Sequence, residues 1–329
     1  MPNHDIVVIG ASAGGLEALK QLVYAIPEDF PGSIFVVLHT AAHSPSMLDS
    51  ILDQAGKLKA FFPDDGTKIA QGNIYVAEPD RHLLIEDSQV RTVRGPKENR
   101  FRPAIDPLFR SAAWAYGPRV VGVVLTGMLD DGAEGLWAIK TTGGVTIVQD
   151  PSEAMFADMP MNALKNFEVD YVLPLADIAP RLVKLAQTPI RTKSKAKTKV
   201  PNKIKTETEA AMNRKSIRDM EQMGMPSVFT CPQCGGTMWE LRDGELVRYR
   251  CHVGHAFSVD SLLAEQSEAV EDALYSALKT IEEKAELHRQ MAQKFTAKNS
   301  RERSSLEKKA AEQDRNAAVL RQILSTRNI

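Results

Sequence analysis

From residue 5 to about 187, short apolar runs rich in β-branched residues alternate with segments of helical periodicity, and this alternation leaves few folds open. The runs fall at 6–9, 34–38, 74–77, 120–125, 145–148 and 171–173. The helical patterns fall at 15–23, 46–54, 107–116, 132–140, 160–166 and 178–186. Continuous apolar runs suit strands buried on both faces, and a helix between successive strands supplies the crossover that parallel pairing needs. The pattern predicts an α/β domain, doubly wound, with a mostly parallel sheet and helices on both faces. At 329 residues the chain exceeds what one such core usually fills, so smaller modules are expected beyond it.

The balance of charge excludes some function classes. With a net charge of −1 nothing draws the whole chain toward nucleic acid or membrane, and the longest apolar stretch, near 120–125, is far too short to span a bilayer. No nucleic-acid partner and no direct membrane insertion are expected. The three cysteines all lie between Cys231 and Cys251, and an odd, clustered set suits a metal site in a reducing, cytoplasmic setting rather than a disulfide framework.

Between Arg191 and Lys205, seven of fifteen residues are Lys or Arg and none is acidic, which reads as a solvated linker. The expected organisation is an α/β domain over 1–187, a basic linker with a short helix (near 207–223) over 188–225, a cysteine module over 226–258 and a helical tail over 259–329. In the tail Val270, Leu274, Leu278, Ile281, Ala285, Met291 and Phe295 recur at helical spacing. After a polar break at 298–301, Leu306, Ala310, Ala317, Leu320 and Leu324 continue it, predicting a helical hairpin or coiled segment.

The first strand runs into Gly10-Ala11-Ser12-Ala13-Gly14-Gly15. A dinucleotide site would want glycine where Ser12 stands and an acidic residue where the second strand ends in Leu38-His39. A G-x-S-x-G nucleophile turn fits better, because small neighbours allow a sharp strand-to-helix turn that exposes the serine hydroxyl. Two more chemical groups follow predicted strands, His39 and the pair Asp130-Asp131, and strand ends of an open α/β sheet converge on one crevice.

Here the sequence is similar to the chemotaxis receptor protein-glutamate methylesterases (CheB) in their catalytic domain. The matching stretches are Val8 to Gly15, Val36 to His39, Arg102-Pro103-Ala104-Ile105-Asp106-Pro107-Leu108-Phe109, Leu125 to Gly132, Gln149-Asp150-Pro151 and Met159 to Ala163. The resemblance implies that Ser12 is the nucleophile, His39 its base and Asp131 the orienting carboxylate. It also implies glutamyl methyl esters on the cytoplasmic region of a methylated chemoreceptor as substrate, glutamine deamidation as a related activity, and no catalytic cofactor. Acyl-transfer chemistry then needs oxyanion donors, for which the amides of Ala13 and Met128 are the candidates. The chain departs from the family at Ala13, often Thr, and at Leu129, usually Gly. The first strand begins at residue 5, so no receiver domain and no phosphorylation control in cis are expected. His43 and His82 are expected at the rim or in structural roles.

Cys231-Pro232-Gln233-Cys234 is separated by sixteen residues from Cys251-His252-Val253-Gly254-His255. Two ligand pairs at this spacing read as a zinc ribbon, with Cys231, Cys234, Cys251 and His255 as ligands and His252 as the alternative fourth. Asp243-Gly244 marks a hairpin turn between the pairs. A site closed by four ligands implies structural zinc, independent of the esterase chemistry. The module is expected to dock a receptor or another signalling protein, with the basic linker tethering a catalytic domain that folds alone. The competing readings are a non-enzymatic adaptor working through the ribbon and helices, and an esterase for another ester.

Overall fold

The computed structural model describes residues 3–43, 45–190, 201–214, 223–244, 246–294 and 300–326. Most of the basic run (191–200), part of the expected helix (215–222), and Phe295 with the start of the polar break (295–299) lie outside these residues.

All six residues of β1 (Ile6–Ala11) are buried, as a strand covered on both faces requires. It pairs in parallel with β2 (Ser33–Leu38) on one side and β7 (Val120–Val124) on the other. Further strands are β3 (Lys59–Phe61), β4 (Asn73–Val76), β8 (Val145–Gln149) and β9 (Tyr171–Leu173), giving a seven-stranded sheet in the order β3-β4-β2-β1-β7-β8-β9. Every pairing in it is parallel. The helices α1 (Gly15–Ala25), α2 (Leu48–Ala55) and α6 (Leu175–Gln187) cover one face. The opposite face is covered by α3 (Ile105–Tyr116), α4 (Ala133–Thr141) and α5 (Asp158–Asn166). All six expected strands and all six expected helices are present. An added hairpin, β5 (His82–Glu86) and β6 (Gln89–Val93), packs on the α3 side.

Beyond the sheet, α7 (Asn202–Ala211) buries Ile204 in the α3-side core and Ala211 against Leu84. Next, β10 (Met225–Thr230), β11 (Thr237–Asp243), β12 (Leu246–Cys251) and β13 (Ala256–Ser258) form an antiparallel four-stranded sheet. The Asp243-Gly244 turn closes its central hairpin, with Asp243 paired to Leu246 and Gly244 at φ 64°.

The chain from Met1 to Leu262 forms one compact unit. The structure therefore differs from the expected linker-separated arrangement: α7 and the ribbon are packed on the sheet domain. What joins them is a buried ionic network. Arg110 of α3 contacts Glu98 (2.6 Å) and Glu134 (2.7 Å), while Arg250 of the ribbon reaches Glu98 (3.0 Å) and Glu207 of α7 (3.2 Å). Arg248 contacts Glu207 and Asp243, both at 2.6 Å, and Lys203 closes on Asp243 at 2.9 Å. Four cations thus meet four carboxylates, which is what lets so many charges leave water together. A composition-based reading puts Lys, Arg and Glu on the surface, so this seam was invisible in the sequence.

The second unit, Leu263–Ile329, holds most of α8 (Val259–Gln293) together with α9 (Ser300–Ser325). Arg289 pairs with Asp314 and Arg321 with Glu282, an antiparallel order. Buried Ala285, Ala292, Ala310 and Ala317 form its seam at seven-residue spacing, which allows the helices to approach closely.

Candidate active site and metal centre

The sheet order reverses direction at β1, and the carboxyl ends of β1, β2 and β7 stay hydrogen-bonded for one residue past each strand. Ser12 N donates to Thr126 O at 3.0 Å, and His39 N to Ala11 O at 3.1 Å. This ladder sets Ser12, His39 and the loop after β7 side by side at the topological switch point. Gly14 takes a left-handed φ of 74° to turn the chain into α1, a conformation that costs a side chain about 1 kcal/mol or more. Gly127 is needed for proximity, since a Cβ there would lie 2.9 Å from Ser12 Cβ.

The side chains form a continuous relay. Ser12 Oγ lies 3.1 Å from His39 Nδ1, and His39 Nε2 lies 2.7 Å from Asp131 Oδ2. Asp131 also accepts from the first amides of α3, Ile105 N at 2.7 Å and Asp106 N at 3.2 Å, from Gly132 N at 3.0 Å and from Asn99 Nδ2 at 2.8 Å. Burial pushes its carboxyl up, yet the His39 contact and these donors outweigh that and hold it at about 2. An ionised Asp131 must accept from His39, so Nε2 carries the proton and Nδ1 receives the Ser12 hydroxyl. Phe101 stacks flat on the His39 ring at 3.7 Å, fixing its plane.

The neighbouring acid behaves differently. Asp130 accepts from Ser258 Oγ at 2.6 Å and points to the ribbon, not to His39. Burial raises its carboxyl from 3.8 to about 7, opposed by the Ser258 hydrogen bond and reinforced by Asp260 and Asp131. A carboxyl raised on folding stabilises the protein fully below its unfolded value and loses that contribution as pH rises through its folded value. Asp130→Asn should therefore gain stability over the parent as pH goes from 4 to 8. The expected gain at pH 8 is about 1–2 kcal/mol after allowing for partial exposure, or roughly 3–6 °C in melting temperature. Melting curves across pH test this, and a difference independent of pH would refute it.

Ser12, Ala13 and His39 line an open cleft of about 490 Å³ together with Lys97, Arg100, Phe101 and Arg102. Met128 lies outside that lining and is half exposed, beside Leu129 at φ 62°. The left-handed Leu129 accounts for the glycine usual there, and Asn162 Nδ2 holds its carbonyl at 2.9 Å. His82 is fully buried between Pro96 O and Ala104 N, a structural position, whereas His43 is exposed. Sequence reasoning missed Asn99 and Phe101. Asp106 was visible only as part of a motif, yet it accepts from Gly132 N and Gly135 N and receives the other hydrogen of the Asn99 amide.

Residues 7–182 match the CheB methylesterase family profile. The chain belongs to the CheB methylesterase family. A relative from Leptospira interrogans, bearing the name protein-glutamate methylesterase/protein-glutamine glutaminase, is 40% identical over 186 residues, covering 56% of this chain and 96% of its own. One of the Anaeromyxobacter dehalogenans proteins of the same name is 39% identical over 183 residues, and there the match spans only 54% of the relative. The crystal structure of the Thermotoga maritima CheB methylesterase catalytic domain aligns with a TM-score of 0.53 at 33% identity, covering 55% of this chain and 98% of that one. All three likenesses cover a little over half of this chain, in step with the family match to the sheet domain.

In the ribbon, Cys231, Cys234, Cys251 and His255 bring one donor atom each to within 4.8 Å of one another. Cys234 Sγ lies 3.6 Å from Cys251 Sγ, and His255 Nδ1 lies 3.7 and 3.6 Å from Cys231 and Cys251 Sγ. The edges of a tetrahedral zinc site with these donors are about 3.5–3.8 Å. His252 is not in the group; its ring packs over Gly236. Hydrogen bonds from Cys231, His255 and Cys234 draw the Cys251 thiol down. Glu134, Glu207 and Asp243 also cluster, but the arginines of the buried network already occupy those carboxylates.

Proposed function

We propose that this chain hydrolyses glutamyl methyl esters on the cytoplasmic region of chemoreceptors, using Ser12 as nucleophile, His39 as base and Asp131 as orienting carboxylate. Its catalytic domain is a protein-glutamate methylesterase, a carboxylic ester hydrolase. The observation that carries the residue roles is the unbroken relay from Ser12 Oγ through both His39 nitrogens to an ionised Asp131.

His39 takes the Ser12 proton as Oγ attacks the ester carbonyl, and Asp131 offsets the charge on the imidazolium. The oxyanion is met by backbone amides, those of Ala13 and the Met128 loop being candidates, each worth roughly 3 kcal/mol. His39 then protonates methoxide, methanol leaves, and water attacks the acyl-enzyme to restore a glutamate carboxylate. The same steps on glutamine would release ammonia. Lys97 and Arg100 on the cleft lining favour an acidic protein segment, while Arg102 is paired with Asp80. Methanol release from methylated receptor membranes, wild type against Ser12→Ala, tests the assignment; equal release by both would refute it.

The four ribbon donors fit zinc in type, number and spacing, and a closed set of ligands makes the metal structural. Purified protein is expected to carry about one zinc per chain. Elemental analysis of the parent and of Cys251→Ser checks this, and metal-free parent with an intact ribbon would overturn it. Clustered thiols accord with a cytoplasmic setting, and among the described residues no helix is long and apolar enough to cross a membrane. Docking of receptor or signalling proteins to the ribbon and helices is part of the same proposal.

A further inference from the structure

Phe101, which stacks on His39, and Asn99, which donates to Asp131, sit on one tight turn over 98–101. Glu98 N donates to Phe101 O and Phe101 N to Glu98 O, while Asn99 and Arg100 at its tip both have left-handed φ, 48° and 76°. Such a two-residue turn fixes where Asn99 and Phe101 point only if its neighbours hold it.

What holds it is the ribbon. Asn99 N donates to Ala256 O at 2.8 Å and Ala256 N to Lys97 O at 3.2 Å, which lays β13 along the turn. Asn99 Oδ1 accepts from Ser258 N at 3.0 Å and Ser261 Oγ at 3.2 Å. With its oxygen held on the ribbon, the Asn99 amide nitrogen has one orientation, donating to Asp131 at 2.8 Å and Asp106 at 2.9 Å. Arg250 of β12 meanwhile grips Glu98 at the base of the turn. The ligand His255 immediately precedes Ala256, and its carbonyl accepts from Cys251 N at 2.9 Å. Metal ligand, clamping strand, Asn99, Asp131, His39 and Ser12 are thus joined by consecutive short contacts.

We propose that Asn99 is a positioning residue for the esterase, clamped by the ribbon, and that metal capture by Cys231, Cys234, Cys251 and His255 governs turnover through this clamp. The metal half rests on the zinc reading above; the Asn99 half does not. Loss of metal frees the 251–255 loop, β13 loses its register on the turn, and both the donor to Asp131 and the ring on His39 lose their fixed positions. This reverses the expectation that the ribbon metal is independent of the esterase.

The test uses full-length protein, a small methyl ester, and the rate at which a fluorophosphonate labels Ser12. Asn99→Ala should lower kcat and the labelling rate about 10–100-fold with KM within about twofold, because the relay and not the cleft is disturbed. Asn99→Asp keeps the acceptor for Ser258 and Ser261 but sets a third carboxylate oxygen beside two others, so it should be at least as slow as Asn99→Ala. A merely structural role predicts the reverse order. Ser261→Ala, which leaves Asn99 in place, should cause a smaller loss of the same kind. Removing metal with a chelator, followed by elemental analysis, should slow labelling about tenfold in the parent, with recovery on zinc addition, and by a clearly smaller factor in Asn99→Ala, where only the Phe101 contact is left to lose. Asn99→Ala with kcat within twofold of the parent overturns the proposal. So does a metal effect of equal size in both backgrounds. Protein that binds no zinc defeats the metal reading, and the Asn99 variants then decide the clamp alone.

Discussion

Ser12→Ala is expected to reduce methyl-ester hydrolysis by about four to six orders of magnitude, and His39→Ala by a similar factor. Because the two act as one proton-transfer unit, the double variant should be scarcely slower than either single one. Asp131→Asn should cost about 10⁴-fold: an amide facing His39 Nε2 favours the tautomer that presents a proton, not a lone pair, to Ser12. It also turns that NH2 against Ile105 N, which donates to the same carboxylate oxygen as His39. Asp130→Asn, one residue away, should cost far less, because Asp130 touches Ser258 of the clamp and not His39. Steady-state rates on one methyl ester decide all four, and a greater loss at Asp130 than at Asp131 would reassign the carboxylate.

The second large effect concerns the buried seam. Arg250→Ala removes the cation shared by Glu98 and Glu207 and leaves two fully buried carboxylates short of a partner, so a loss of about 3–5 kcal/mol is expected. Combining Arg250→Met with Glu98→Gln should recover part of that loss, since replacing both partners avoids an orphaned charge. Ending the chain at residue 187 goes further, stripping Lys203, Glu207, Asp243, Arg248 and Arg250 from the network while Arg110, Glu98 and Glu134 remain. It also uncovers Leu84, which α7 covers with Ala211 and Met212. That fragment should be unstable or insoluble, although the Leptospira relative is spanned almost whole by the matching 186 residues. Denaturant midpoints for the variants and the fragment provide the check. A fragment as stable as the full chain would show that the seam contributes nothing.

These expectations reverse the tethering arrangement that the sequence suggested, for a physical reason. Periodicity reports which face of an element is apolar, so β1, β2, β7 and their helices were legible, as were Ser12, His39 and Asp131 just past strand ends. The ribbon was legible because ligand chemistry demands cysteines at fixed spacing. The β5–β6 hairpin was hidden because its turn, Asp87-Ser88, adopts positive φ at both residues, 48° and 64°, without the glycine that usually signals it. The three residues of β3 are too few to show alternation. Asn99, Phe101 and the ionic seam carry no local signal, because each acts only through partners distant in sequence.

The clamp on the 98–101 turn bears on how the enzyme is made. Synthesis delivers Ser12, His39 and Asp131 early, whereas Ala256, Ser258 and Ser261 follow more than a hundred residues after Asp131. A nascent chain can hold all three triad residues and still lack the strand that fixes them. On the clamp as proposed above, full hydrolytic rate arrives late in translation, when the ribbon closes, and prematurely terminated chains would carry the nucleophile without the contacts that let it work at that rate.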